Sequence, residues 1–248
     1  MKKTTLLLII LLGTGSLNYA QNPEWEEITR EEITKEFIRI HNWYLNTKNY
    51  SLQVKHSLFK DPEQKIPEDK SVGYFIKHGV SYHNNLMDIH TIQNDKYKIV
   101  LDTSQKLIMV SNAGKDNLWN TLPVEPAKDL ALVSVIKKYC DDSLKKYRIE
   151  FELESGISVF EIHLNKENLP VKLIICYRRS FSHHSYTENN TVKNPKVEIE
   201  FTDYLIDENY YNSEKEFDET EYFMLKDDKL MPTEKFKGYE IKDMRVNQ

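Results

Sequence analysis

The sequence predicts an α+β protein: a single long, curled antiparallel sheet, an incomplete barrel, with two main helices covering its concave face. Three observations carry this expectation. Apolar and polar residues alternate with period two in two blocks, residues 50–111 and 147–202, which is the pattern of half-buried strands. The breaks between runs are short turn clusters such as His78-Gly79, Asn94-Asp95 and Ser155-Gly156, too short for the crossover that a parallel pair needs. Two other stretches repeat their apolar residues every three or four positions, the mark of an amphipathic helix.

The chain of 248 residues opens Met1-Lys2-Lys3, then runs from Leu6 to Leu12 without a polar residue and reaches Asn18-Tyr19-Ala20. A basic start, a short apolar core and a small final residue describe a secretory signal peptide over residues 1–20. The apolar run is too short to span a bilayer. No other stretch of the sequence approaches spanning length. An exported product, periplasmic or soluble at the cell envelope, is therefore expected. The remaining residues 21–248 are expected to form one domain. Net charge is −5, and −7 once Lys2 and Lys3 leave, which argues against nucleic acid as a partner.

Residues 24–46 predict the first helix. Ile33, Phe37, Ile40 and Tyr44 form its apolar stripe, Trp25 and Ile28 extend it, and Glu24, Glu26 and Glu27 suit its first turn. Residues 50–60 alternate as a first strand, and DPEQKIPEDK at 61–70 reads as a solvated loop. The stretch 72–111 is an antiparallel meander. In it, Val72, Tyr74 and Ile76 share one strand face, while Gly73, Phe75 and Lys77 share the other. A second helix is expected at about 126–140, with Pro126 in its first turn and Leu132, Val135, Ile136 and Tyr139 inward. Strands follow at 147–154, 157–164, 171–178 and 197–202, then an acidic insertion near 207–221 and a last strand within 237–246.

The motifs of the common enzyme classes are absent from the sequence: no G-x-S-x-G, no G-x-x-x-x-G-K, no H-E-x-x-H and no C-x-x-C. No catalytic residue and no cofactor is expected, and an unrecognised hydrolase ranks last among the readings. His183-His184 is the most ligand-like pair, but no acidic or cysteine partner stands at ligand spacing, so no metal site is expected. Cys140 and Cys176 can form one disulfide in an exported chain or remain two separate thiols. The tyrosines suit ordinary sheet packing, or an apolar trough with polar tips. The residues expected to line such a trough are Tyr74, Ile76, Tyr82, Tyr97 and Ile99, with Leu101 and Met109, from the first block. The second block adds Phe151, Leu173 and Tyr177.

The whole order resembles the outer-membrane lipoprotein carrier and acceptor proteins of the LolA/LolB type. The resemblance lies in the leader, the helix ending near Asn46, the strand from Tyr50 and the run from Val72 to Asn112 with Asn94-Asp95-Lys96-Tyr97. It extends to Leu164-Asn165-Lys166-Glu167-Asn168-Leu169-Pro170-Val171-Lys172-Leu173, where a Leu-Pro precedes the returning strand. It departs where Asp102-Thr103-Ser104 replaces the family's Asp-Gly strand. The resemblance implies a helix-covered cavity that takes acyl chains or a lipoprotein without an enzymatic step. The alternative is an envelope protein–protein interaction module on the same scaffold with a filled cavity. Ligand chemistry under the first is apolar; under the second the partner is an envelope protein.

Overall fold

The computed structural model describes residues 24–114, 130–178, 181–182, 191–192, 194–206 and 214–245. The expected leader, Pro126, His183-His184 and residues 207–213 of the acidic insertion lie outside them. Strand β1 (Glu26–Glu27) precedes helix α1 (Arg30–Asn46). The helix begins later than its apolar stripe suggests because Thr29 and Glu32 form a capping box. The Thr29 hydroxyl accepts from the Glu32 N–H at 3.3 Å, and the Glu32 carboxylate accepts from the Thr29 N–H at 2.8 Å. Trp25 and Ile28 therefore precede the helix, and Glu31 and Glu32 occupy its first turn.

The meander forms as expected: β2 (Asn49–Phe59), β3 (Asp69–His78), β4 (Ser81–Leu86), β5 (Ile89–Gln93), β6 (Tyr97–Asp102) and β7 (Leu107–Asn112) pair in sequence. Its turns are built by the polar breaks. Asn94 Oδ1 accepts from the N–H groups of Lys96 and Tyr97, and Asp102 Oδ1 from that of Gln105.

The second expected helix is corrected. Residues 130–132 are a single 3-10 turn, and β8 (Val133–Cys140) is a strand. A bulge between Val133 and Val135 places an extra residue on β8, so Val133 and Ile136 both face inward three positions apart. Of the stripe expected for a helix only Ile136 is buried; Val135 and Tyr139 pair with Glu150 and Lys146 on the other face, and Leu132 is exposed. Strands β9 (Lys145–Phe151), β10 (Ile157–Leu164) and β11 (Pro170–Tyr177) follow. Next come the short pair β12 (Phe181–Ser182) and β13 (Thr191–Val192), then β14 (Lys196–Leu205). After two 3-10 turns, β15 (Phe223–Lys226) and β16 (Lys229–Pro232) make a hairpin. Asp227 and Asp228 take its two left-handed turn positions. The last strand, β17 (Glu240–Asp243), pairs with β7 in parallel, correcting the expectation of a wholly antiparallel sheet.

Among the described residues, thirteen strands form one sheet in the order β1-β8-β9-β10-β11-β14-β2-β3-β4-β5-β6-β7-β17. One apolar core joins α1 to β8–β11, β14 and β2–β4. Laid flat, eight strands at about 4.8 Å spacing would extend roughly 34 Å, about three times the width of a helix. A single helix shares a core with all of them because the sheet curls around it, without closing into a barrel. On the outer face, charges alternate across the strands. Arg148 bridges Glu150 and Glu161, His163 meets Glu161, and Lys172 and Lys196 both meet Glu198.

Among the described glycines, Gly73 has the least room for a side chain. A Cβ there would lie 1.9 Å from the carbonyl oxygen of Asn85, a backbone atom that cannot rotate away. Gly73→Ala is expected to destabilise the fold by about 1–3 kcal/mol, lowering the melting temperature by several degrees on thermal denaturation. Cys140 and Cys176 are both free thiols. They lie on β8 and β11 with two strands between them, at least about 14 Å apart across the sheet alone, whereas a disulfide needs Cα atoms within about 7 Å. A thiol reagent is expected to label exposed Cys140 rapidly in the native protein and buried Cys176 only after denaturation. Equal native labelling, or none without reductant, would refute this.

Candidate functional site

Strand residues alternate between two faces, and the register divides the sheet into two differently covered regions. On the first face, Ile33, Phe37, Ile40 and Tyr44 of α1 press onto Leu52, Ile149, Ile162, Leu173 and Ile175, all buried. The helix stripe predicted this side, and the sheet supplies matching β-branched and leucine side chains.

At the C-terminal end of α1 the packing becomes aromatic. Trp43 lies 5.4 Å from Tyr50 and 6.3 Å from Tyr204 between ring centroids, Tyr50 stacks on Phe75 at 5.4 Å, and Phe75 stacks on Tyr82 at 5.9 Å. The phenols keep partners: the Tyr44 and Tyr204 hydroxyls are 3.0 Å apart, and Tyr204 donates to the Pro170 carbonyl at 2.6 Å. Burial pushes the Tyr44, Tyr50 and Tyr204 hydroxyls above the usual tyrosine range, so they stay neutral.

Four cations tie α1 to the sheet and its turns; one is Lys145 of β9, whose ammonium lies 3.6 Å from the Glu36 carboxylate. At the start of α1, Arg30 donates to the Val133 carbonyl at 2.8 Å. At mid-length, Arg39 pairs with Glu36 and donates to the Asn168 carbonyl at 3.1 Å. At its end, the Lys77 ammonium donates to the carbonyls of Tyr44, Leu45 and Thr47 at 2.8, 3.0 and 2.8 Å. A helix C-terminus presents unpaired carbonyls and partial negative charge, so a lysine there both satisfies acceptors and meets the dipole. Partial burial holds the Lys77 ammonium below its ordinary pKa.

The second face is covered by residues 214–239, here called the strap, which leads into β17 at the sheet edge. Its Tyr222, Phe223 and Phe236 pack on Ile92, Ile99, Leu101, Ile108 and Val110 of β5–β7. Glu219 holds it down, accepting from Asn94 Nδ2 at 2.6 Å and Lys96 at 3.3 Å. The change of face occurs within β4, where consecutive residues Tyr82 and His83 are both buried, Tyr82 towards α1 and His83 towards the strap.

The residues expected to line one trough are thus divided. Tyr82, Phe151, Leu173 and Tyr177 belong to the core under α1. Ile99 and Leu101 lie under the strap with Tyr97 packed beside them. Tyr74 contacts His83 on that same side, and Ile76, paired with His83, shares its face. Met109 pairs with Val100 and points to the α1 side of β7. On β3 the inward triad is Gly73, Phe75 and Lys77, not Val72, Tyr74 and Ile76, because β3 pairs Phe75 with Leu52. Sequence reasoning missed Trp43, Tyr204 and Lys77. Lys77 was visible only as a charge on a strand, although its period-two relation to Phe75 marks the face it shares. Among the described residues no group of three metal-ligating side chains converges, and no helix is long and apolar enough to cross a membrane.

No family profile matches the sequence, and no curated protein matches it. Solved structures of similar outline do exist. A DUF1329 family protein from Desulfovibrio piger is 8% identical over 77% of this chain and 97% of that one, with a TM-score of 0.31. A LolA superfamily protein from Nitrosomonas europaea is 9% identical over 77% and 98%, with a TM-score of 0.28. A domain described as an outer-membrane lipoprotein-sorting protein, from Vibrio parahaemolyticus, is 8% identical over 77% and 98%, with a TM-score of 0.32. These scores describe distant likeness in outline.

Proposed function

We propose that this chain is an exported, non-enzymatic binding protein that shelters an apolar chain, an acyl group or the lipid part of a lipoprotein, between α1 and the curled sheet. One observation carries the reading: a wide apolar sheet face is sealed by a single amphipathic helix that touches it through four buried side chains. Lifting those four side chains costs about 1.5–3 kcal/mol each, roughly 6–12 kcal/mol together. A sheltered methylene returns about 0.8 kcal/mol, so an acyl chain of about 8–15 carbons offsets the helix it displaces. Long chains are favoured over short ones on this arithmetic. The aromatic group at the helix end, with its hydroxyl tips, suits the polar end of such a ligand.

A second reading rests on the same four side chains. All four are buried, and cations tie α1 down along its length. On that reading α1 is a permanent part of the core, and the chain acts as an interaction module for an envelope protein.

A fluorescent long-chain fatty acid titrated into the purified protein is expected to bind saturably, with affinity rising steeply from ten to sixteen carbons. No saturable binding, together with a stable protein partner recovered from an envelope extract, supports the second reading instead. Lys77→Met keeps the aliphatic stem but leaves three carbonyls without their donor. It is expected to cost about 1–3 kcal/mol in urea unfolding and to speed hydrogen exchange in the last turn of α1. If α1 is a lid, fatty-acid association also accelerates in this variant; an unchanged association rate counts against lid opening.

A further inference from the structure

We propose that His83 is a proton-operated release for the strap: protonation favours lifting of residues 214–239 from β4–β7 and uncovers a second apolar face. His83 is 5% exposed on a face otherwise packed with isoleucine, leucine and aromatic groups. Its Nε2 lies 3.3 Å from His90 Nδ1, and its Nδ1 lies 3.5 Å from Glu216 Oε2 on the strap. The Tyr74 hydroxyl stands 3.4 Å from Nε2, with the two rings edge to face. The two imidazole nitrogens aim at different groups, so no single point lies within ligand distance of His83, His90 and Glu216 together. The arrangement is a polar contact across the seam between sheet and strap.

The groups around this contact act in opposite directions. Glu216 favours a charged His83, whereas burial and His90 oppose it. Asp88, at the turn between β4 and β5, favours charge on His90, and Lys235 of the strap opposes it. Tyr222 of the strap and Tyr74 of β3 are neutral phenols whose pKa values are raised. Burial wins: His83 is held down to about 4, and His90 also lies below its ordinary value.

Removing the strap returns His83 to water and towards its ordinary pKa of about 6.5. The lifted form therefore binds more protons, and the closed form is fully favoured only above that value. The preference is lost as pH falls from about 6.5 towards 4. For His83 alone, the lifted-to-closed ratio rises roughly 30-fold between pH 7.5 and 5.

Hydrogen exchange of the full chain, corrected for intrinsic rates, tests this at pH 7.5 and 5. Strap peptides are expected to open tens of times more often at the lower pH, while α1 and β9–β11 keep their protection. In His83→Gln that pH dependence falls several-fold, leaving the part contributed by His90. A strap that responds equally in the variant, or that opens together with β9–β11, overturns the proposal. Should the variant not fold, the His83 imidazole of the unaltered chain can be titrated by NMR. A midpoint well below 6 supports the release, and one near 6.5 overturns it.

Discussion

A strand cannot send consecutive side chains to the same side of its sheet, and this constraint governs the whole molecule. Tyr82 and His83 are neighbours, and both are buried. That is possible only where both faces of the sheet are covered, and β4 is where the two covers meet. On one side of it the sheet buries its α1 face against a helix; on the other it buries the opposite face under a C-terminal segment. Neither cover resembles the other. The first is a regular amphipathic helix, and the second is a chain of turns and a hairpin whose aromatic rings pack on one another, Tyr222 on Phe236 at 5.8 Å and Phe236 on Tyr239 at 5.3 Å.

The curl and the helix depend on one another at β3. Gly73 allows the Asn85 backbone to approach, Phe75 stacks between Tyr50 and Tyr82, and Lys77 closes the end of α1. These three residues are on one face of one strand, at successive period-two positions. Their contributions differ in kind. Gly73 supplies close approach and Phe75 apolar packing, while Lys77 satisfies carbonyls left open at the partly exposed end of α1. The neighbouring triad looks greasier, yet Val72 is exposed and Ile76 only half-buried. Side-chain hydrophobicity alone ranks the two faces in the wrong order here, because transfer free energies do not measure what a glycine and a lysine contribute to the architecture.

The same logic explains which parts of the fold were legible. The meander turns and the β10–β11 turn could be read because Asn94, Asp102 and Asn165 bond their own following backbone, a local interaction encoded in a few residues. The α1 stripe could be read because Ile33, Phe37, Ile40 and Tyr44 keep helical spacing. Its start could not, since the acidic run at Glu24–Glu27 looks like a first turn until Thr29 and Glu32 are seen to cap each other. β8 reads as a helix because Leu132, Val135, Ile136 and Tyr139 keep helical spacing; in the strand, Val135 and Tyr139 sit on the face opposite Ile136. The candidate site was legible in composition but not in placement. Tyr82, Phe151, Leu173 and Tyr177 gather under α1, but Tyr97, Ile99 and Leu101 gather under the strap. Which cover lies over which half depends on pairings between distant segments, and strand alternation is silent about them.

The seam between β14 and β2, where Phe201 lies opposite Val54, has a consequence for how the chain is made. β2 sits in the interior of the sheet, flanked by β3 from its own hairpin and by β14 from far downstream. As the polypeptide emerges from the ribosome, one margin of β2 remains open until Lys196–Leu205 has been synthesised. An open strand margin of eleven residues is a template for unwanted association with other nascent chains. Loop closure over the intervening span also makes the final zippering slow compared with the early hairpins. The protein should therefore benefit from a holding chaperone during its biogenesis, whatever it binds when finished.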